Sequence, residues 1–340
     1  MESSATTVSG GRSALRRSPA SRLPDQLLRW GLTGLAGLIL LILLYFFIRL
    51  IGESGSTFSK FGLSFVFGND WDTGHEIFHG FPLLFGTLLT SVIALILGVP
   101  VAIAAALYLT ELCPRRLRGP FSLFVDLLAA VPSVVYGLWG VFVLIPKLLG
   151  AEKWFASTFS FIPFVGGGTP TGPNYFIAGL ILAIMIVPIV SAIAREVMAT
   201  VPPEHKEAAL ALGATRWEMI RMAVLPYARP GITGGAMLGL GRALGETIAV
   251  VLVIGNSDSI GSHLFNQGYS LAAVIANEFG EAANDTTHRS ALFAAGLVLF
   301  VLTLLVNMVA RRFISRGQRG RRGTGGTGVT VATGPAGGAQ

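Results

Sequence analysis

Five long apolar stretches of this chain carry no charged side chain: Trp30–Ile48, Gly80–Thr110, Leu127–Pro146, Trp154–Ala194 and Ser290–Ala310. A hydrocarbon layer about 30 Å thick is crossed by about 20 helical residues. No water in that layer can satisfy backbone N–H and C=O groups, so each crossing segment has to pair them within itself. The run from Trp154 is too long for one helix. Its front part, SFIPFVGGGTPTGPN, is rich in Gly and Pro and reads as a loop, which leaves a span at about 174–195. A further span at about 230–254 is interrupted by Arg242 and Glu246. The others fall at about 29–51, 82–109 and 122–147, with the last ending at Arg311-Arg312. The expectation is an all-α, polytopic membrane protein with about six transmembrane helices.

Charge sets the orientation. Charged residues are 13% of the chain, about half the usual share. With the N-terminus placed inside, 19 of the 25 Lys and Arg fall in inner segments, five fall outside, and Arg242 lies within a span. The positive-inside rule then puts both termini in the cytoplasm. The net charge of +7 is accounted for by anionic lipid and does not call for nucleic acid. Cys113, the single cysteine, falls in an inner loop, so no intrachain disulfide can form.

Residues 1–28 read as a disordered basic tail, and residues 29–80 as the first span and an outer loop. Residues 81–312 form the transmembrane core, and residues 313–340 a disordered Gly-rich tail. In the outer loop, Asp70, Asp72, His75, Glu76 and His79 fit no defined ligand spacing, so neither a metal nor a cofactor is expected. In the third span Pro132 breaks the hydrogen-bond ladder. Ser133 and Tyr136 either face a polar interior or bond the freed backbone; the sequence leaves both open.

The fifth span is the most informative. Gly231, Gly235 and Gly239 recur every four residues and make a smooth face for close helix packing, and Gly241 and Gly245 form a second such pair. Arg242 lies about 18 Å beyond residue 230, near mid-membrane. Glu246, one turn on, is placed to pair with it, with the Thr247 hydroxyl alongside. Intramembrane charge marks function by default: here, a gate in which Arg242 attracts an anion and Glu246 neutralises Arg242 when none is present. The alternative is an internal salt bridge that only fixes packing.

Before that span, residues 200–228 read as helix, break, helix. Pro202 and Pro203 suit a first turn, and Glu204 suits its positive end. Gly213 can end the helix in the left-handed conformation. Thr215 and Glu218 form a T-x-x-E capping box, and Leu225-Pro226 marks another break.

The spacing Glu207-Ala208-Ala209, Gly213, Leu225-Pro226 resembles the EAA loop of ABC importer permeases; the pattern's Ile is Ala223 here. In that family the loop inserts into a cleft on the ATPase subunit. The stretches VPSVVYGLWG, LGATRWEMIRMAVLPYARPGI, LGLGRALGETIAV and IGN (254–256) narrow the resemblance to permeases of phosphate-specific importers, over roughly residues 30–312. The resemblance implies a type I ABC importer permease fold in the plasma (inner) membrane of a prokaryote. It also implies a role for Arg242 and Glu246 in phosphate movement. The partners would be a sister permease, two copies of an ATP-binding subunit and an extracytoplasmic phosphate-binding protein. No G-x-x-x-x-G-K-[ST] loop is present, so ATP hydrolysis would belong to partners and this chain would be no enzyme. A permease for sulfate or molybdate, a proton-coupled secondary transporter and a scaffold for phosphate sensing are the competing expectations.

Overall fold

A computed structural model of the chain describes residues 22–166, 170–258, 261 and 263–322. Residues 1–21 and 323–340, most of the two expected tails, lie outside the described residues. At the inner edges of those tails helix already runs, from Arg22 and as far as Arg322. The chain divides after Gly52 into two compact units. The first, as described, is helical from Arg22, within helix α1 (Arg22–Phe61).

The second unit, from Glu53 on, holds the remaining elements. They are α2 (Ser64–Phe67), a hairpin of β1 (Trp71–Asp72) and β2 (Ile77–Phe78), α3 (Phe81–Leu107), α4 (Arg115–Ala130), α5 (Ser133–Trp139), α6 (Ile145–Thr158) and α7 (Tyr175–Ala199). After these come α8 (Pro203–Ala211), α9 (Arg216–Met219), α10 (Leu225–Leu244), α11 (Ile248–Ile254), α12 (Leu271–Glu278) and α13 (Thr286–Arg322). Among the described residues, five helices or uninterrupted helical runs are long and apolar enough to cross a membrane; the bent run Arg216–Leu244 with α11 makes a sixth. The all-α expectation and the count of six hold, with the two-residue strands as a minor addition.

Prolines shape the helices in two ways. Among the described residues, three helical runs contain a π turn, at Tyr108–Leu112, Gly140–Leu144 and Ile220–Val224, and a proline follows each within two residues: Pro114, Pro146 and Pro226. A proline ring offers no N–H and collides with the carbonyl four residues back. The π register answers this by moving the bond one residue: Cys113, Ile145 and Leu225 each donate their N–H to the carbonyl five residues earlier. Leu225-Pro226 is therefore not the expected break. The helical path runs on from Arg216 through Leu244.

Pro132 behaves differently. Val131 before it is extended (ψ 127°), as the proline's Cδ requires, and the helix stops. The third span consequently begins at Ser133 and continues to Thr158, not at 122–147 as expected. The stretch Arg115–Ala130 is a separate helix with no fully buried residue.

Helix α7 is the most buried of the candidate spans and organises the core. Glycines set the distances. A Cβ on Gly179 of α7 would meet Ile93 Cγ2 at 2.5 Å, and one on Gly98 of α3 would meet Ile186 Cγ1 at 2.9 Å. The predicted Gly231, Gly235 and Gly239 face of α10 packs on α7, with Val197, Ile193 and Val190 at 2.3, 3.2 and 2.9 Å from the hypothetical Cβ atoms. Gly241 and Gly245 have no such close neighbour: the nearest atoms are Asn307 Oδ1 at 4.0 Å and the Gly241 carbonyl oxygen at 3.8 Å. At the other end of the bundle the hairpin is tied down through Glu278. Its Oε2 accepts from Trp71 Nε1 (3.1 Å) and meets His288 Nε2 at 2.9 Å, while the Phe78 ring stacks on His288. Asp72 accepts hydrogen bonds from His75 and Gly74 within the hairpin turn, which hold its carboxyl below the usual range.

Gly86 tests this packing. A Cβ there would lie 1.9 Å from the Tyr269 carbonyl oxygen, a backbone atom that cannot swing aside. Gly86→Ala is expected to destabilise the protein by about 1–3 kcal/mol, against the usual helix-stabilising effect of Ala. Gly119→Ala, in open space on α4, is expected to be neutral or stabilising. Thermal unfolding in detergent measures both; equal effects would contradict the packing.

Candidate functional site

The predicted coupling segment folds as a compact helical turn-and-return. Pro203 occupies the first turn of α8, with Glu204 beside it at the positive end. The helix ends at Leu212, and Gly213 takes the left-handed conformation (φ +85°). Thr215 then starts α9 with a complete capping box. Its hydroxyl accepts from the Glu218 N–H, and Glu218 Oε2 accepts from the Thr215 N–H at 2.8 Å. These bonds hold the Glu218 carboxyl below its ordinary range, the Thr215 backbone N–H contributing most.

The segment presents a mixed surface. Glu207 and Ala208 are exposed, while Ala209 turns inward against a cluster that includes Met198, Met219, Ile220 and Val224. Leu212 is 90% exposed, and Trp217 and Met222 also project outward. Between the two helices lies a hollow of about 690 Å³ lined by residues including Ala208, Leu212, Gly213 and Met222. Leu225 and Pro226 begin α10.

Arg242 is in the last turn of α10 and is exposed on the surface of this chain. The helix stops at Leu244, Gly245 caps it, and α11 starts at Ile248 after a bend of 66°. Glu246 and Thr247 occupy the bend and are half-buried. Because the helix does not continue through Gly245, Arg242 and Glu246 are not in i,i+4 register, and no ion pair joins them. The expected pairing is absent from this conformation. Thr247 Oγ1 bonds locally to the Gly245 carbonyl (3.4 Å).

Tyr136 lies on α5. The Tyr136 hydroxyl donates to the Leu128 carbonyl at the end of α4 (2.8 Å), one of the carbonyls freed by Pro132. Ser133, the first residue of α5, is half-buried. The expected path residues lie on separate elements: Ser133 and Tyr136 on α5, Arg242 in the last turn of α10, and Glu246 and Thr247 in the bend.

Two ion pairs escaped the sequence reading. Arg195 on α7 pairs with Asp126 on α4, and Lys206 on α8 pairs with Glu111 (2.7 Å). The available signal was a lone acid, Glu111, beside the basic loop CPRRLR.

Residues 98–319 match the family described as "Binding-protein-dependent transport system inner membrane component". The chain belongs to this permease family. Relatives agree at higher resolution. The chain is 44% identical over 283 residues to the phosphate transport system permease protein PstC of Mesorhizobium japonicum, covering 82% of this chain and 86% of the relative. It is 43% identical over 283 residues to PstC 2 of Mycobacterium tuberculosis, covering 80% and 85%. Among solved structures, a permease chain of a bacterial alginate ABC transporter, solved with its alginate-bound periplasmic protein, superposes with a TM-score of 0.56. That match has 20% identity and covers 87% of this chain and 98% of that one. It supports the fold of an ABC importer permease and nothing narrower.

Thr215→Ala removes the capping box and is expected to cost about 1 kcal/mol of local stability. Amide exchange at Glu218 and Met219 should rise about fivefold. The box depends on ionised Glu218: its contribution is present above the ordinary glutamate range and is lost as pH falls through the lowered folded-state value. Unchanged exchange in Thr215→Ala would show that neighbouring packing holds α9 without the cap.

Proposed function

We propose that this chain is a membrane-spanning permease subunit of an ATP-driven importer of inorganic phosphate. The observation that carries the reading is the close similarity to permeases named for phosphate transport, over more than four-fifths of the chain. The geometry supplies a mechanism consistent with it. This chain would pair with a sister permease, bind two copies of an ATP-binding subunit through α8 and α9, and receive phosphate from an extracytoplasmic binding protein. Both termini would be cytoplasmic, as the Lys and Arg distribution favours.

Glu207, Ala208 and Gly213 form the docking face, with Ala209 packed beneath it and Leu225 and Pro226 joining it to the span. Small alanines allow close approach, the exposed Leu212 and Met222 offer apolar contact, and Glu207 gives a polar anchor. Inside the span, Arg242 provides the positive charge that offsets the desolvation of a phosphate anion; its planar fork suits a tetrahedral oxyanion. Tyr136, Ser133 and Thr247 line the same path.

The bend gives Arg242 two states. With α10 and α11 bent, Glu246 lies off the Arg242 register and the guanidinium is available to phosphate. A straightened helix through Gly245 would bring Glu246 one turn beyond Arg242, where it competes for the guanidinium and releases the anion. Gly245 suits such a hinge because it carries no side chain to obstruct either state.

Labelled-phosphate uptake at micromolar phosphate, in cells lacking this chain and then supplied with it, tests the reading. Arg242→Ala is expected to lower uptake by about two orders of magnitude, the scale of losing one oxyanion donor in a dry site. Arg242→Lys should retain part of it. Uptake by Arg242→Ala at the wild-type rate would demote Arg242 to a packing residue. Rescue of sulfate but not phosphate uptake would overturn the substrate.

A further inference from the structure

Helix α8 is anchored on two sides. One anchor runs along the chain: through Gly213 and α9, α8 continues into the π turn Ile220–Val224 and α10, with His205 against Tyr227 (6.1 Å between rings). The other crosses to a different helix. Lys206 Nζ reaches Glu111 Oε1 at 2.7 Å, and Glu111 sits on the π turn Tyr108–Leu112 that ends α3. The Glu111 side chain is only 9% exposed and that of Lys206 24%, so solvent screens this pair far less than a surface bridge. The same π turn also receives α4: Arg118 Nη2 donates to the Thr110 carbonyl, and the Thr110 hydroxyl bonds the Ala106 carbonyl at 2.9 Å.

The two anchors lead to different helices, α10 and α3, which also pack on each other. The chain route from α8 ends on α10, whose glycine face lies on α7. The Lys206 route ends on α3, which lies on the same α7 through Gly98 and Gly179. A displacement of α8 passed along the chain route alone would drag α10 across α7 and shear the contacts of Gly231, Gly235 and Gly239. Passed along both routes, it moves α3 and α10 together.

We propose that the Lys206–Glu111 pair is a strut that couples α8 to α3, so that motion imposed on α8 moves the transport path instead of being lost as slippage. The inference rests on the reading of α8 and α9 as the ATPase-docking segment. Lys206 and Glu111 are positioning residues; neither touches phosphate or ATP.

The test uses the full complex reconstituted in vesicles, with phosphate uptake and ATP hydrolysis recorded together. Lys206→Glu and Glu111→Lys are each expected to lower phosphate moved per ATP by about tenfold while ATP hydrolysis persists, and the double swap to recover most of the loss. Lys206→Arg, which keeps the pair, should stay near wild type. Glu111→Gln, nearly isosteric, decides the matter if either charge reversal fails to assemble: a ratio lowered severalfold supports the strut, and an unchanged ratio overturns it. Single variants with unchanged ratios, or a double swap that assembles without recovery, also overturn it. A wild-type complex that hydrolyses ATP but moves no phosphate defeats the functional reading itself, and the strut with it.

Discussion

Backbone hydrogen bonding in a solvent that offers none is the constraint from which most of this structure follows. A chain crossing hydrocarbon cannot leave peptide groups open, yet this one places prolines at 100, 114, 132, 146, 188, 226 and 230 in or beside its helices. Before Pro114, Pro146 and Pro226 the ladder shifts to the π register and keeps its bonds. At Pro132 the helix ends, and Tyr136 bonds one of the freed carbonyls, that of Leu128. The bend at Gly245–Thr247 is the place where neither device operates across a span. Irregular backbone at membrane depth is tolerated where it is covered by protein or lines a watery path. Arg242 beside the bend favours the path.

The second ingredient is close approach without side chains. In lipid, helices gain little from hydrophobicity and associate by packing. Gly98, Gly179, Gly231 and Gly239 bring α3, α7 and α10 into contact at distances that exclude even a methyl group. Val197, Ile193 and Val190 of α7 are seated against the glycines of α10, so motion of α10 along α7 has to lift those side chains out of their notches. The part-buried Lys206–Glu111 pair adds a link between α8 and the end of α3.

Much of this was legible in the sequence because the signals were local. The left-handed Gly213, the Thr215/Glu218 capping box and the Gly231/Gly235/Gly239 face each follow from residue type at fixed spacing, and each has its structural counterpart. Reading prolines was harder. The same residue type bends the register at Pro226, stops a helix at Pro132 and sits inside a helix at Pro188; the difference lies in which neighbours can satisfy the backbone. The third span was therefore placed too early. Helical periodicity also suggested an Arg242–Glu246 pair that the end of α10 prevents. Lys206–Glu111 and Arg195–Asp126 join residues 95 and 69 positions apart, a separation at which local pattern carries no information.

The central claim is that the bend beside Arg242 lies on an aqueous, anion-conducting path. Replacing Cys113, the single cysteine, gives a background in which one thiol can be placed at will. The decisive measurement is the reaction of Thr247→Cys with a charged, membrane-impermeant thiol reagent in the assembled complex. Leu41→Cys, exposed within the uncharged run of α1, serves as the control away from the bend. The account predicts that position 247 reacts, that phosphate slows the reaction, and that position 41 stays silent. A silent position 247 in every nucleotide state would contradict it and return the bend to a role in packing.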